Sequence, residues 1–584
     1  MVVVLHARRD QIGHNGLVHA EEIAAVAVLC VLAVGAANTL APRLRIAAPL
    51  LLVAVGVGVS LLPQVPEFHI SPELILVGVL PPLLFAVARS MPVMDFKRDF
   101  QAIGALSVVL VLISSLLLGL FFVWILPDID YALGVALGAI LSPTDAVATG
   151  TIKRAGAPNR IVTVLSGESM FNDATALVLL RAAIAATAAS ISLVGVIVNF
   201  VWAVIGAVVI GGAAGWLFGK LRTRIHAPAV ATAVSFTLPY LAYLPAELVG
   251  ASGLVAAVAA GLVSGRASVR TLPASHRLSD VETWRMVEVV LEGGVFLLMG
   301  LELYTLIEDV RDAHDTWLHA LWPAAVALVL VLVIRFAFVM PLIWGLDSRA
   351  TRVIAREPAL EALRERLPDD PADDDTKGHR FRLRLDRSLA DISYYRTEAI
   401  GSREGMVVVW GGLRGAVTLA AAQTLPADTA HRSLLILIAF FVATMSLMIQ
   451  GGTMGALLAK LKLPDQSSEL RAEQARLRGE MLDIVQRMLA DPNVIGDDSV
   501  LAGQVKLVRE LETPDLDDEQ IDLDEIDVLD KRLQTARELR RVRRKVIDEQ
   551  RRALLAFRDR GSYSSGALTA ELRKLDAEEL SLSG

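Results

Sequence analysis

The chain is short of cysteine, of charge and of histidine. Cys30 is the only cysteine in 584 residues, which excludes an intrachain disulfide framework and a cysteine-based zinc site. Charged residues make up 20%, below the ~25% of ordinary soluble domains. The net charge of −7 and a pI near 5.9 leave no basic footprint for nucleic acid. The ten histidines lie in loops or near the ends of apolar runs, for example His226 and His431, and no HExxH pair occurs.

Apolar residues are abundant: 54% of the chain, with a mean hydropathy of +0.53. The charge is also unevenly placed. Residues 462–584 hold 48 of the 119 charged residues, 39% of that stretch, against about 15% in residues 1–461. This pattern predicts an all-α polytopic membrane protein with a helical cytoplasmic C-terminal region. Apolar runs near 20 residues, the length that crosses the hydrocarbon core, number about thirteen: 21–40, 46–62, 72–88, 101–126, 131–150, 160–186, 191–218, 227–244, 247–265, 285–304, 317–345, 404–424 and 433–459. The N-terminus, with Arg8, Arg9 and Asp10, lacks the charged start and small-residue cleavage site of a signal peptide, so the first run reads as a span.

Lysine and arginine fall mainly in alternate connections. Those after spans 1, 3, 5, 7 and 9 carry them, as in Lys153, Arg154 and Arg160, while those after spans 2, 4, 6 and 8 carry none. For a plasma-type (bacterial inner) membrane, which the positive-inside rule presupposes, the rule places the N-terminus outside and the C-terminus on the cytoplasmic side. Residues 1–20 form a short extracytoplasmic N-terminus, 21–461 the membrane domain and 462–584 a cytoplasmic helical tail, expected to be regulatory. Within the membrane domain, 346–403 is a long cytoplasmic loop with 24 charged residues in 58. In the tail, an acidic stretch from Glu510 to Asp530 precedes a basic one from Lys531 to Arg560, which reads as two solvated helix faces that can pair.

Polar residues inside apolar spans are expensive and need a reason. Pro143, in Leu141-Ser-Pro-Thr-Asp145, removes a backbone donor and clashes with the preceding turn, so span 5 breaks near the membrane middle. Broken helices survive there only where they line a cavity or a protein interior. Thr144 and Asp145 sit at the break, beside freed carbonyls and half-helix dipoles suited to ions, and Asp145 can also cap the second half-helix. Span 6 contains Gly167-Glu-Ser-Met-Phe-Asn-Asp173, in which Ser169, Asn172 and Asp173 share a helix face and Glu168 points aside. Arg335 in span 11 and Arg414 in Gly411-Gly-Leu-Arg-Gly415 of span 12 are also intramembrane, and either can neutralise Glu168. Glycines weaken span 12 there. Spans 5 and 12 run in opposite senses, and such paired interruptions point to inverted repeats with broken helices crossing at mid-membrane. In span 10, Glu302 is expected near the outer end and solvated, with Glu292 deeper and structurally partnered.

A carboxylate removed from water favours its protonated form, and a neighbouring cation favours its charged form. One carboxylate therefore holds a proton or a small cation but not both well. Asp173, the Ser169 hydroxyl and the Thr144 carbonyl offer hard oxygen ligands for Na+ or another alkali cation. If the loaded site alternates between the two membrane faces, the competition becomes obligatory exchange, one cation per proton. A membrane-embedded hydrolase using Ser166 or Ser169 would need a general base, and no histidine lies deep enough. A cation channel or a cation-coupled symporter is the alternative, although a channel needs no carboxylate that swaps proton for cation.

At these residues the chain resembles the monovalent cation/proton antiporters of the CPA1 group, the bacterial NhaP-type and eukaryotic Na+/H+ exchangers. The motifs are Ser142-Pro-Thr-Asp-Ala-Val147, Gly167-Glu-Ser-Met-Phe-Asn-Asp173 and Gly411-Gly-Leu-Arg-Gly-Ala-Val417, and the likeness covers about residues 20–460. The resemblance implies a non-enzymatic antiporter without cofactors, moving Na+ (or Li+ or K+) against protons. Asp173 is then the ion-binding carboxylate, with Asn172 before it marking the electroneutral branch. Thr144, Asp145 and Ser169 line the site, and Glu168 pairs with a membrane arginine, Arg414 or Arg335. A homodimer embedded in lipid, whose six-helix core moves elevator-fashion against a dimerisation domain, is also implied. Span 3 departs from the family pattern: Ala86 stands where many relatives carry Glu or Asp, so any ion contact from that acid is absent here.

Overall fold

The computed structural model describes residues 16–44, 46–62, 72–145, 147–154, 156–188, 193–312, 316–366, 376–463, 467–490 and 525–582. Residues 1–15, most of the expected extracytoplasmic N-terminus, and 491–524, which include the start of the acidic stretch, lie outside the described residues. The described residues are helical and contain no strand. In lipid this follows from hydrogen-bond accounting, since only a helix or a closed barrel satisfies its own backbone there.

Seven described helical stretches are long and apolar enough to cross a membrane, and four shorter apolar helices accompany them. The expected count of thirteen is therefore not established by length and composition alone. Span 12 divides into two short helices, and the helix Ala274–Leu301 carries Arg285, Glu288 and Glu292 within its apolar part.

The chain divides into two compact units. The first comprises Met1–Leu272, Ser279–Val353 and Glu398–Pro464. Helices lying wholly or mostly in it are α1 (Val111–Ile125), α2 (Tyr131–Leu141), α3 (Asn159–Ala188), α4 (Ala274–Leu301), α5 (Trp317–Ile354), α6 (Ser402–Trp410), α7 (Ala416–Gln423) and α8 (Arg432–Ser446). A π-helical turn, Leu447–Gly451, continues α8. Small residues let these helices approach closely, as expected where lipid supplies no hydrophobic drive between them. A Cβ added at Gly138 of α2 would collide with the Ser115 carbonyl of α1, and the Ser115 and Ser142 hydroxyls meet at 3.1 Å beside it.

The second unit comprises Pro273–Leu278, Ile354–Thr397 and Asp465–Gly584. Three tail helices, α9 (Ser467–Ala490), α10 (Glu525–Arg560) and α11 (Ser565–Ser581), are polar in composition yet enclose an apolar core of Leu477, Met481, Ile547, Leu554 and Leu568 among others. The helical periodicity of the tail thus buries an apolar face. Tyr563 donates to Glu480 at 2.6 Å, and the Ser564 hydroxyl donates to Glu473 at 2.5 Å, so polar groups pin the turn between α10 and α11 against α9.

Gly138→Leu is expected to force α1 and α2 apart, at a cost of about 3 kcal/mol or more from overpacking. The yield of monodisperse protein on size exclusion in detergent should fall sharply, whereas Gly104→Leu, where added atoms meet open space, should leave it near wild type.

Candidate functional site

Two broken helices meet in the first unit. The first is interrupted after α2, where Ser142–Asp145 carries no helical pairing before the short helix Val147–Arg154. The second is interrupted between α6 and α7 over Gly411–Gly415. The two breaks are tied together by the Asp145 amide, which donates to the Leu413 carbonyl at 2.7 Å.

Two of the half-helix ends, the C-terminal end of α2 and the N-terminal end of α7, meet a side chain of opposite sign, as helix dipoles favour. The Arg414 guanidinium, 2% exposed, donates to the Leu141 carbonyl at 3.0 Å and the Ser142 carbonyl at 3.4 Å, the freed C-terminal end of α2. It also bonds the Gly412 carbonyl. The Asp145 carboxylate lies against Gly415, at the N-terminal end of α7. Glycine is required there, because a Cβ at position 415 would occupy the carboxylate's place. Asp145 thus reaches across to the start of the other broken helix.

Glu168 on α3 is 1% exposed and meets Arg335 of α5 through both carboxylate oxygens, one at 2.5 Å and the other at 2.8 Å. Arg335 also donates to the Val408 carbonyl at 2.9 and 3.1 Å, so its charge is spread over a carboxylate and a backbone oxygen. Of the two arginines expected as partners, Arg335 takes this role, while Arg414 serves the carbonyl ends. The Arg414 guanidinium is instead occupied by the Leu141, Gly412 and Ser142 carbonyls, and its backbone amide donates to the Ser446 hydroxyl at 2.9 Å.

Thr144 joins this ion pair to the neighbouring turn of α3. Its hydroxyl donates to Glu168 at 3.1 Å and accepts from the Asn172 amide at 2.7 Å. The same amide donates to the Thr144 carbonyl at 3.2 Å, so one lone pair of that expected cation ligand is already engaged. Asp173, next along α3, is 6% exposed, and its Oδ1 has no hydrogen-bond partner. The Asn172 Oδ1 is also buried without one. The Ser169 hydroxyl donates to the Ser166 carbonyl of its own helix at 3.1 Å, which leaves its oxygen free to accept or to ligate. The arrangement therefore holds a compensated ion pair at Glu168 and, one helical turn away, two acceptor oxygens that no donor satisfies. Buried acceptors in that state are unusual and suit a proton or a cation.

The roles of three side chains, Ser446, Gln450 and Glu302, are not legible in the sequence. Ser446 and Gln450 are fully buried in the last span and bonded to the break between α6 and α7. Both are uncharged and inconspicuous in an apolar run, where only their i, i+4 spacing signals a common face. Glu302, expected to be solvated, is 4% exposed and accepts from Gln423 at 2.6 Å. Its partner lies 121 residues away, and hydropathy carries no trace of it. Ala86 is buried at 3% exposure and offers no ligand.

Paired broken helices around a buried carboxylate, in a bundle of apolar helices, define a secondary transporter of ions. The sodium/hydrogen exchanger transmembrane family matches residues 26–460, and the chain belongs to that family, a family of multi-pass membrane antiporters. An uncharacterised Na+/H+ exchanger of Mycobacterium tuberculosis (strain H37Rv) is 28% identical over 592 residues, covering 98% of each chain. The uncharacterised Na+/H+ exchanger YjcE of Escherichia coli K12 is 29% identical over 448 residues, covering 73% of this chain and 74% of its own. The solved sodium proton antiporter MjNhaP1 of Methanocaldococcus jannaschii superposes with a TM-score of 0.53 at 18% identity, covering 75% of this chain and 98% of that one, which shows a shared fold.

Breaking a buried pair by removing one charge strands the other, at about 3–5 kcal/mol. Glu168→Gln is therefore expected to lower the unfolding temperature in detergent markedly. A variant that melts like wild type yet no longer transports would assign the pair to ion handling instead.

Proposed function

We propose that the chain exchanges a monovalent cation for protons one for one, with Na+ as the principal cation and Li+ or K+ as further substrates. The relatives' names support Na+ and H+ as the transported ions. The observation that carries the reading is the buried Asp173 carboxylate with an unpartnered Oδ1 beside the break at Thr144. In this reading Asp173 takes a proton or the cation, Ser169 and Thr144 supply further oxygens, and Asn172 orients the Thr144 segment. Asp145 and Arg414 balance the half-helix ends, and the Arg335–Glu168 pair is the fixed strut against which α3 is set.

Alternating exposure of this site to the two membrane faces converts the competition at Asp173 into exchange. A homodimer in the plasma membrane with a cytoplasmic C-terminus, and a tail that modulates transport without being needed for it, complete the proposal.

Cation-induced proton flux in proteoliposomes tests this, with Na+, Li+ and K+ added in turn. Valinomycin and K+ serve as an electrical shunt in the Na+ and Li+ runs. Asp173→Asn should reduce flux at least ~100-fold while the protein stays monodisperse, because the proton-exchanging group is gone. Wild-type flux should not accelerate under the shunt. Cation flux that is driven by voltage and independent of protons would instead mean a channel.

A further inference from the structure

The break between α6 and α7 removes a specific hydrogen bond. In a continuous helix the Arg414 amide would donate to the Trp410 carbonyl, four residues back. Here that amide donates to the Ser446 hydroxyl at 2.9 Å, the Ser446 hydroxyl donates to the side-chain Oε1 of Gln450 at 2.5 Å, and the side-chain Nε2 of Gln450 donates to the Trp410 carbonyl at 3.0 Å. Three bonds through two side chains thus replace one lost backbone bond, and both orphaned groups are satisfied. Ser446 and Gln450 are each 0% exposed, so water does not compete. Gln450 stands in the π-helical turn Leu447–Gly451, a distortion that recurs where a helix is shaped for function.

We infer that Ser446 and Gln450 are positioning residues for the ion site, a splint that holds the unwound Gly411–Gly415 segment at fixed length. The inference rests on the exchange reading above and deepens it. Its path is continuous. The splint fixes the Arg414 backbone, the Arg414 side chain holds the Leu141 and Ser142 carbonyls, and the adjacent Leu413 carbonyl holds the Asp145 amide. Both ends of the Ser142–Asp145 break are therefore set from the last span. Thr144 lies between those ends, where its hydroxyl and carbonyl receive Asn172. Loosening the splint frees Thr144 to shift relative to Asp173, which weakens cation binding and leaves the proton-accepting carboxylate in place.

The direction of the pH effect follows. Proton and cation compete for one carboxylate, so weaker cation binding requires a lower proton concentration for the same occupancy. The pH of half-maximal exchange at low Na+ should move to higher pH.

The test compares wild type, Asp173→Asn, Ser446→Ala, Gln450→Met and Ser446→Thr in proteoliposomes, with Na+-dependent proton flux normalised to folded protein. Ser446→Ala and Gln450→Met are expected to raise the apparent KM for Na+ about fivefold, the scale of one net hydrogen bond. The maximal rate should stay within about twofold and the pH profile should shift to higher pH. Ser446→Thr, which keeps a hydroxyl, should return both toward wild type. If Ser446→Ala does not fold, Ser446→Cys, nearly isosteric with a weak thiol donor, should show the same KM shift. A wild-type KM and pH profile in the folded variants, with only the amount of protein reduced, would overturn the splint as a positioning device. Wild-type flux insensitive to Asp173→Asn would sink the exchange reading itself, so the two failures are told apart.

Discussion

A helix broken inside a membrane leaves amides and carbonyls that lipid cannot satisfy, and the centre of this protein is organised around that constraint. Pro143 opens one helix, and the glycines at 411, 412 and 415 open another. Several of the freed groups then find named partners. Arg414 takes the carbonyls at the end of α2, Asp145 sits at the start of α7, the Asp145 amide takes the Leu413 carbonyl, and Ser446 with Gln450 spans the second gap. What is left unanswered is informative. The Oδ1 atoms of Asp173 and Asn172 stay without donors in a region where nearly everything else is paired, and that residue of unmet capacity is what a transported ion can use.

Charge is handled by the same logic. The Glu168–Arg335 pair is shared with the Val408 carbonyl and the Thr144 hydroxyl, so its charges remain compensated and unavailable. Asp173 lies one helical turn from that pair on α3, and in the proposed mechanism it alone changes partner. In that mechanism, separating a fixed pair from the exchanging carboxylate lets the fold keep Asp173 buried without spending it on stability.

Much of this was legible in the sequence. The proline and glycine interruptions, the Glu168 to Asp173 spacing and the intramembrane arginines are all local signals, and they define the class of protein. Contacts across long sequence separations were not legible. Nothing local says whether Arg335 or Arg414 reaches Glu168, since the answer depends on which backbone groups each helix leaves open. Ser446 and Gln450 are neutral residues whose partners lie 32 and 40 positions away, and the burial of Glu302 depends on Gln423. In the tail, the helical periodicity was visible, but the three-helix core it forms around Leu477, Ile547 and Leu568 comes from tertiary packing that period alone does not specify.

The account stands on one carboxylate holding either a proton or a cation. The most direct measurement is the number of protons released when Na+ binds the purified protein. Calorimetry in buffers of different ionisation enthalpy reads it without requiring transport. The account predicts close to one proton released per Na+ bound at pH values where Asp173 is protonated before Na+ arrives, falling to about half a proton at the pH where it is half-protonated, and none from Asp173→Asn. Na+ binding to the wild type with no proton release at any pH would contradict it.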